Sequence, residues 1–98
     1  MGSSKSLGQI KFAEHLQYLL TLKGITPYAL NQMMGRSKNW ANELIKGRFK
    51  PNYEDLAEMS AILGLKGLQH EAFMEAGYLA MTPDWIAERY LKLKEKNK

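Results

Sequence analysis

A chain of 98 residues with 45% hydrophobic side chains, no cysteine and a formal charge of +4 has enough apolar material for one small core. Without cysteine there is no disulfide framework, no thiolate metal site and no thiol nucleophile, a pattern that fits a reducing, cytoplasmic setting. No apolar run approaches the roughly 20 residues of a membrane span, so a soluble protein without a membrane partner is expected. Residues 1–8, opening Met-Gly-Ser-Ser, read as a disordered or appended N-terminal segment and are set aside from the fold.

The apolar spacing is helical along the rest of the chain, and no alternating stretch competes with it. Phe12, Leu16, Leu19, Leu20 and Leu22 predict a first helix over about 10–23, ended by Gly24. Thr26 is a suitable N-cap, and Pro27 fits the first helical position, where a missing N–H costs nothing. The second helix then runs to about Met34, burying Leu30 and either Met33 or Met34, and Gly35 can supply the positive φ that ends it. Ser37 is expected to cap a third helix with Ala41, Leu44 and Ile45 inward, stopped by Gly47. Asn52, with Asp55 three residues on, opens a fourth helix along Leu56, Met59, Ser60 and Leu63. A fifth helix is expected over about 68–76, closed by Gly77-Tyr78, and Thr82-Pro83 opens a sixth over about 83–96. The fold class is therefore all-α.

Charge is zoned along this string. Arg36–Lys50 carries five basic residues against Glu43, a net of +4 that equals the charge of the whole chain. Residues 51–88 hold seven acids against Lys66, a net of −6, and the last ten residues return to +4. A focused basic segment points to an anionic partner, and the acidic zone is expected to face away from it.

Two short helices joined by a glycine turn make the helix-turn-helix pattern. A helix slim enough for the major groove needs polar residues near its N-terminus to meet base edges. In the third helix those positions are Lys38, Asn39, Asn42, Glu43 and Lys46. Lysine donates to guanine O6 and N7, asparagine pairs with adenine, and glutamate accepts from cytosine N4.

Leu16, Leu19, Lys23-Gly24-Ile25-Thr26, Leu30, Gly35, Ser37, Leu44, Gly47, Pro51, Leu56, Met59, Leu63, Gly64 and Leu65 stand in a spacing that resembles the Cro/CI (XRE-type) helix-turn-helix repressor family across residues 12–65. The resemblance implies a compact five-helix lambda-repressor-like DNA-binding domain over 9–78, with an additional C-terminal helix and basic tail over 79–98. It implies a dimeric transcription regulator, a repressor, on a roughly palindromic double-stranded operator at the nucleoid. It places Lys38, Asn39 and Glu43, with neighbouring Asn42, at base edges. Thr26, Trp40, Lys46, Arg48 and Lys50 fall where the family touches phosphates, and Tyr28, Arg36 and Ser37 join them as candidate phosphate contacts.

Three positions depart from the family pattern. Pro27 stands where a glutamine normally clamps a phosphate, which would pass that contact to Tyr28 or Asn31. Arg36 replaces a small or apolar residue beside the turn. Leu20 and Ile45 occupy the positions of a buried arginine–glutamate pair, and replacing both partners by apolar groups leaves no orphaned charge.

Each assignment has a plainer counterpart. Lys38, Asn39 and Glu43 could be solvated helix residues, Arg36, Arg48 and Lys50 loop charges, and Trp40 a cover over the helix two–three junction. Trp85, Ile86, Tyr90 and Leu93 form either a dimerisation seam or a face folded onto their own domain. A second functional reading is an antitoxin-like protein that binds a toxin or other protein antagonist and autoregulates its operon. No metal set, nucleophile–base pair or glycine-rich phosphate loop is legible, so neither catalysis nor a cofactor is expected, and His15 and His70 read as structural.

Overall fold

The computed structural model describes residues 7–96, which form six helices and no strand. They are α1 (Leu7–Lys23), α2 (Pro27–Met34), α3 (Trp40–Ile45), α4 (Tyr53–Ile62), α5 (Leu68–Met81) and α6 (Asp84–Lys96). Residues 1–6 and 97–98, and with them most of the expected N-terminal tail and Lys98, lie outside the described residues.

The central helix is α1, which packs on α3, α5 and α6. Phe12, Leu16, Leu19 and Leu20 meet Leu30 of α2, Leu44 of α3, Leu56 and Met59 of α4 and Phe73 of α5 in one buried cluster. Phe12 and Phe73 pack with ring centroids 5.5 Å apart at 50°, a tilted pair that fixes the α1–α5 crossing. Burying each large apolar side chain contributes about 1.5–3 kcal/mol. Leu20 belongs to this cluster and Ile45 packs against it partly buried, so both positions serve the core.

Capping follows the sequence closely for α2 and α4. The Thr26 hydroxyl accepts from the Ala29 N–H at 3.0 Å, Pro27 sits at the first turn, and Gly35 ends the helix at φ 66°. Asn52 Oδ1 accepts from the Asp55 N–H at 2.7 Å. Of the two methionines, Met34 is buried and Met33 exposed.

Four expectations are corrected. First, α1 begins at Leu7 rather than about residue 10, so the limit between 8 and 9 falls inside a helix. Gly8 is buried because α1 and α5 cross there, and a Cβ on it would strike the Leu79 carbonyl. Second, α5 passes through Gly77-Tyr78 to Met81, so a limit after 78 also falls inside a helix. Gly77 is there for closeness rather than for a stop: a Cβ would run into the Leu56 side chain.

Third, α3 starts at Trp40 and its N-cap position, Asn39, makes no side-chain cap bond. Ser37 contributes only its carbonyl, which accepts from the Trp40 N–H at 3.1 Å. Fourth, α6 turns Ala87 fully inward and half-buries Leu91, while Trp85, Ile86, Tyr90 and Leu93 remain exposed. None of the four is folded into the core, so the alternative of a face packed onto their own domain is not what the structure has; Tyr90 leans onto α5, and Trp85 and Leu93 share a separate shallow groove with Arg89.

Candidate nucleic-acid interface

The turn between α2 and α3 is held by one side chain. Asn31 is 2% exposed, its Nδ2 donates to the Lys38 carbonyl at 2.6 Å, and its Oδ1 accepts from the Ala41 N–H at 2.7 Å. That acceptor does for α3 what a local cap would do, satisfying an N-terminal amide from the neighbouring helix. Asn31 is therefore not available to a phosphate, contrary to expectation, because both its polar functions are already used inside. Its position between Leu30 and Met34, on the buried side of α2, is the sequence signal that marks it as internal.

With the turn fixed, α3 buries Ala41 and Leu44 and leaves Lys38, Asn39, Asn42 and Lys46 exposed. Glu43 is half-buried and lies 3.6 Å from Arg48 Nε, an ion pair that ties the helix to the following loop. The four polar candidates for base edges thus stand on one short helix and the turn leading into it, and Lys38 and Lys46 have no acidic partner among the described residues.

Trp40 covers the junction of α2 and α3. It is half-buried against the core, its ring centroid is 6.0 Å from that of Phe49, and the Arg36 guanidinium lies 5.3 Å from its centroid. Thr26 is exposed and uses its oxygen as the α2 cap, which leaves the hydroxyl proton to donate outward. Tyr28 is exposed and its hydroxyl accepts from Gln32 Nε2 at 3.0 Å. Ser37 is exposed on the turn.

Electrostatics differ from the linear reading. The acidic zone does not face away from the basic segment but touches it at two points. Arg36 pairs with the buried Asp55 of α4 and approaches Glu58 at 4.0 Å, and Lys50 lies 3.9 Å from Asp84 at the start of α6. Counting Asp55 and Asp84, the local excess falls from +4 to +2. Arg36 acts first as a latch between the α2–α3 turn and α4. Charge order along the chain carried no sign of these contacts, because they are made between distant residues.

Other polar groups serve packing. The buried Ser60 hydroxyl lies 2.6 Å from His70 Nδ1 and ties α4 to α5. His15 packs beside Phe73, and burial lowers its pKa from the usual 6.5. Among the described residues no group of three His, Asp or Glu side chains is arranged to hold a metal ion, and no helix is long and apolar enough to cross a membrane. No known protein family, curated protein or solved structure matches the chain.

Proposed function

We propose that this protein is a sequence-specific double-stranded DNA-binding regulator of the Cro/CI helix-turn-helix type, acting as a dimeric repressor with α3 in the major groove. The observation that supports it best is the Asn31-braced turn, which presents Lys38, Asn39 and Asn42 on an exposed surface while Ala41 and Leu44 anchor the helix below. Lys38, Asn39, Asn42 and Glu43 read base edges. Lys46, Arg48, Lys50, Thr26 and Tyr28 hold phosphates, with Arg36, Ser37 and the Trp40 edge beside them.

Two copies pair through the outward strip of α6, where Trp85 is 68% and Leu93 53% exposed. The two reader helices then meet major-groove faces about 34 Å apart. The antitoxin-like reading shares this DNA surface and is favoured by one separate feature, a groove between α4, α5 and α6.

Selection of bound sequences from a random DNA pool, together with the mass of the complex, tests the reading. A roughly palindromic site with two protein copies is expected. Asn39→Ala and Glu43→Gln should alter preference at individual positions by about 1–3 kcal/mol each. An unchanged preferred sequence in both variants would remove α3 as the reader.

A further inference from the structure

A groove of about 480 Å³ opens between α4, α5 and α6, and its chemistry differs from that of the α3 surface. Glu71, Met74, Glu75 and Tyr78 fall at i, i+3, i+4 and i+7 on one side of α5, so a single helix face supplies its length. Tyr53, at the first turn of α4, stacks on Tyr78 with centroids 6.2 Å apart and ring planes within 8°. Tyr90 closes the other side from α6 and donates its hydroxyl to Glu75 Oε2 at 2.6 Å.

Two features bear on what fits. The groove already accommodates a cation from its own chain: Lys94 Nζ sits 2.8 Å from Glu75 Oε1 and 6.0 Å from the Tyr90 centroid. That contact keeps the Glu75 carboxyl ionised to lower pH than usual, chiefly through the hydrogen bond from Lys94 and then that from Tyr90. A second carboxylate, Glu71, is exposed and has no basic partner among the described residues. Beyond Lys94 on Glu75 and Tyr90, no lysine or arginine lines the groove among the described residues, and its one imidazole, His70, is engaged through Nδ1 with Ser60.

We propose that this groove docks a basic segment of a partner protein, taking an arginine or lysine side chain beside an apolar one. The cation lies against the Tyr53–Tyr78 rings and pairs with Glu71, while the apolar neighbour lies against Leu79. Guanidinium and ammonium groups are attracted to aromatic faces, and the arrangement of Lys94 on Tyr90 and Glu75 repeats that chemistry within the chain. Of the acids in residues 51–88, Asp55, Asp84 and Glu75 are paired with Arg36, Lys50 and Lys94, and Glu71 in the groove keeps an unpaired negative charge complementary to such a partner. The proposal does not depend on the DNA-binding reading.

The experiment titrates an acetylated, amidated Leu-Arg-Leu-Arg-Leu peptide into the ¹⁵N-labelled full-length chain, beside a control with glutamate in place of arginine. Expected are amide shifts centred on Tyr53, Glu71, Met74 and Tyr78 for the basic peptide alone. Glu71→Lys, an exposed substitution, should weaken binding at least about tenfold, the effect of 1.4 kcal/mol, while the fold is kept with only the small loss of thermal stability that a cation in the first turn of α5 brings. Tyr78→Ala should weaken it independently.

Several outcomes would overturn the proposal: no shifts at millimolar peptide, shifts scattered over the surface, equal binding of the acidic peptide, or undiminished binding in both variants. Arginine amide binding as tightly as the peptide would replace a docking surface with a small-amine pocket. Duplex DNA binding, followed on the same samples, should be untouched by Glu71→Lys. Loss of DNA binding with peptide binding intact would sink the regulator reading and leave the groove assignment in place.

Discussion

The Asn31 carboxamide reaches across the α2–α3 turn and satisfies the Lys38 carbonyl and the Ala41 amide at once. Asn31→Ala would leave both groups buried without a partner, at about 1–3 kcal/mol for each unsatisfied group. Urea unfolding should therefore show a lower midpoint with an unchanged slope, and on the proposed reading DNA affinity should fall because α3 is no longer held. His15 offers a pH-dependent counterpart. Its folded pKa is lowered by burial, so the neutral ring suits the fold and the unfolded chain binds the proton more readily. Stability from this residue is complete above pH 6.5 and is lost as pH falls from there through the lowered folded value. Urea midpoints measured between about pH 8 and 5 should decline in that window, and His15→Leu should flatten the decline. Both roles were partly legible. Asn31 sits on the apolar side of α2, yet an amide in sequence does not reveal whether it faces a phosphate or a helix end. The sequence marks His15 as structural but not the direction of its titration, which comes from its burial beside Phe73.

At the scale of elements, helix ends show what sequence can and cannot carry. Thr26-Pro27 and Asn52 signal starts that are local in cause, and both are found where expected. The start of α3 and the continuation of α5 depend on partners elsewhere, Asn31 for one and Leu56 for the other, so local pattern misplaced them. Glycine at 77 looks the same in sequence whether it ends a helix or admits a neighbour. The contacts of the basic segment have a similar origin. Lys50 is drawn toward Asp84, which on the DNA-binding reading competes with phosphate. Asp84→Asn should strengthen binding to every duplex alike and steepen the dependence of log affinity on log salt by roughly one, without moving base preference. Measurements at two or more salt concentrations check this, and a change in preferred sequence would assign Asp84 some other role. The outward strip of α6 gives the element's second expected effect. If two copies pair there, as proposed, Trp85→Ala should shift sedimentation toward the single chain and weaken binding to a palindromic site more than to a half-site.

For the whole molecule, helical periodicity was enough to set the class, and six helices follow in the expected order. The spacing could not show how the helices meet. Two charge zones that are separate along the chain come together in space through Arg36–Asp55 and Lys50–Asp84, so a linear charge map overstates the basic patch. Helix α6 likewise has an apolar pattern that leaves open a seam or a folded-back face, and its packing on α1 gives an inward line at Ala87 and Leu91, an aromatic lean toward α5 at Tyr90, and an outward strip. Gly8 remains, where the first turn of α1 meets the last turn of α5. The central helix is synthesised before the α5 backbone it rests on. A nascent chain halted before α5 leaves the ribosome would hold Phe12 and Leu16 without Phe73 or Ala80 to cover them. Such a chain should stay protease-sensitive and available to chaperones, and protection should arise abruptly once Met81 has cleared the exit tunnel. The close approach at Gly8 makes the packing of α1 an event that waits for α5.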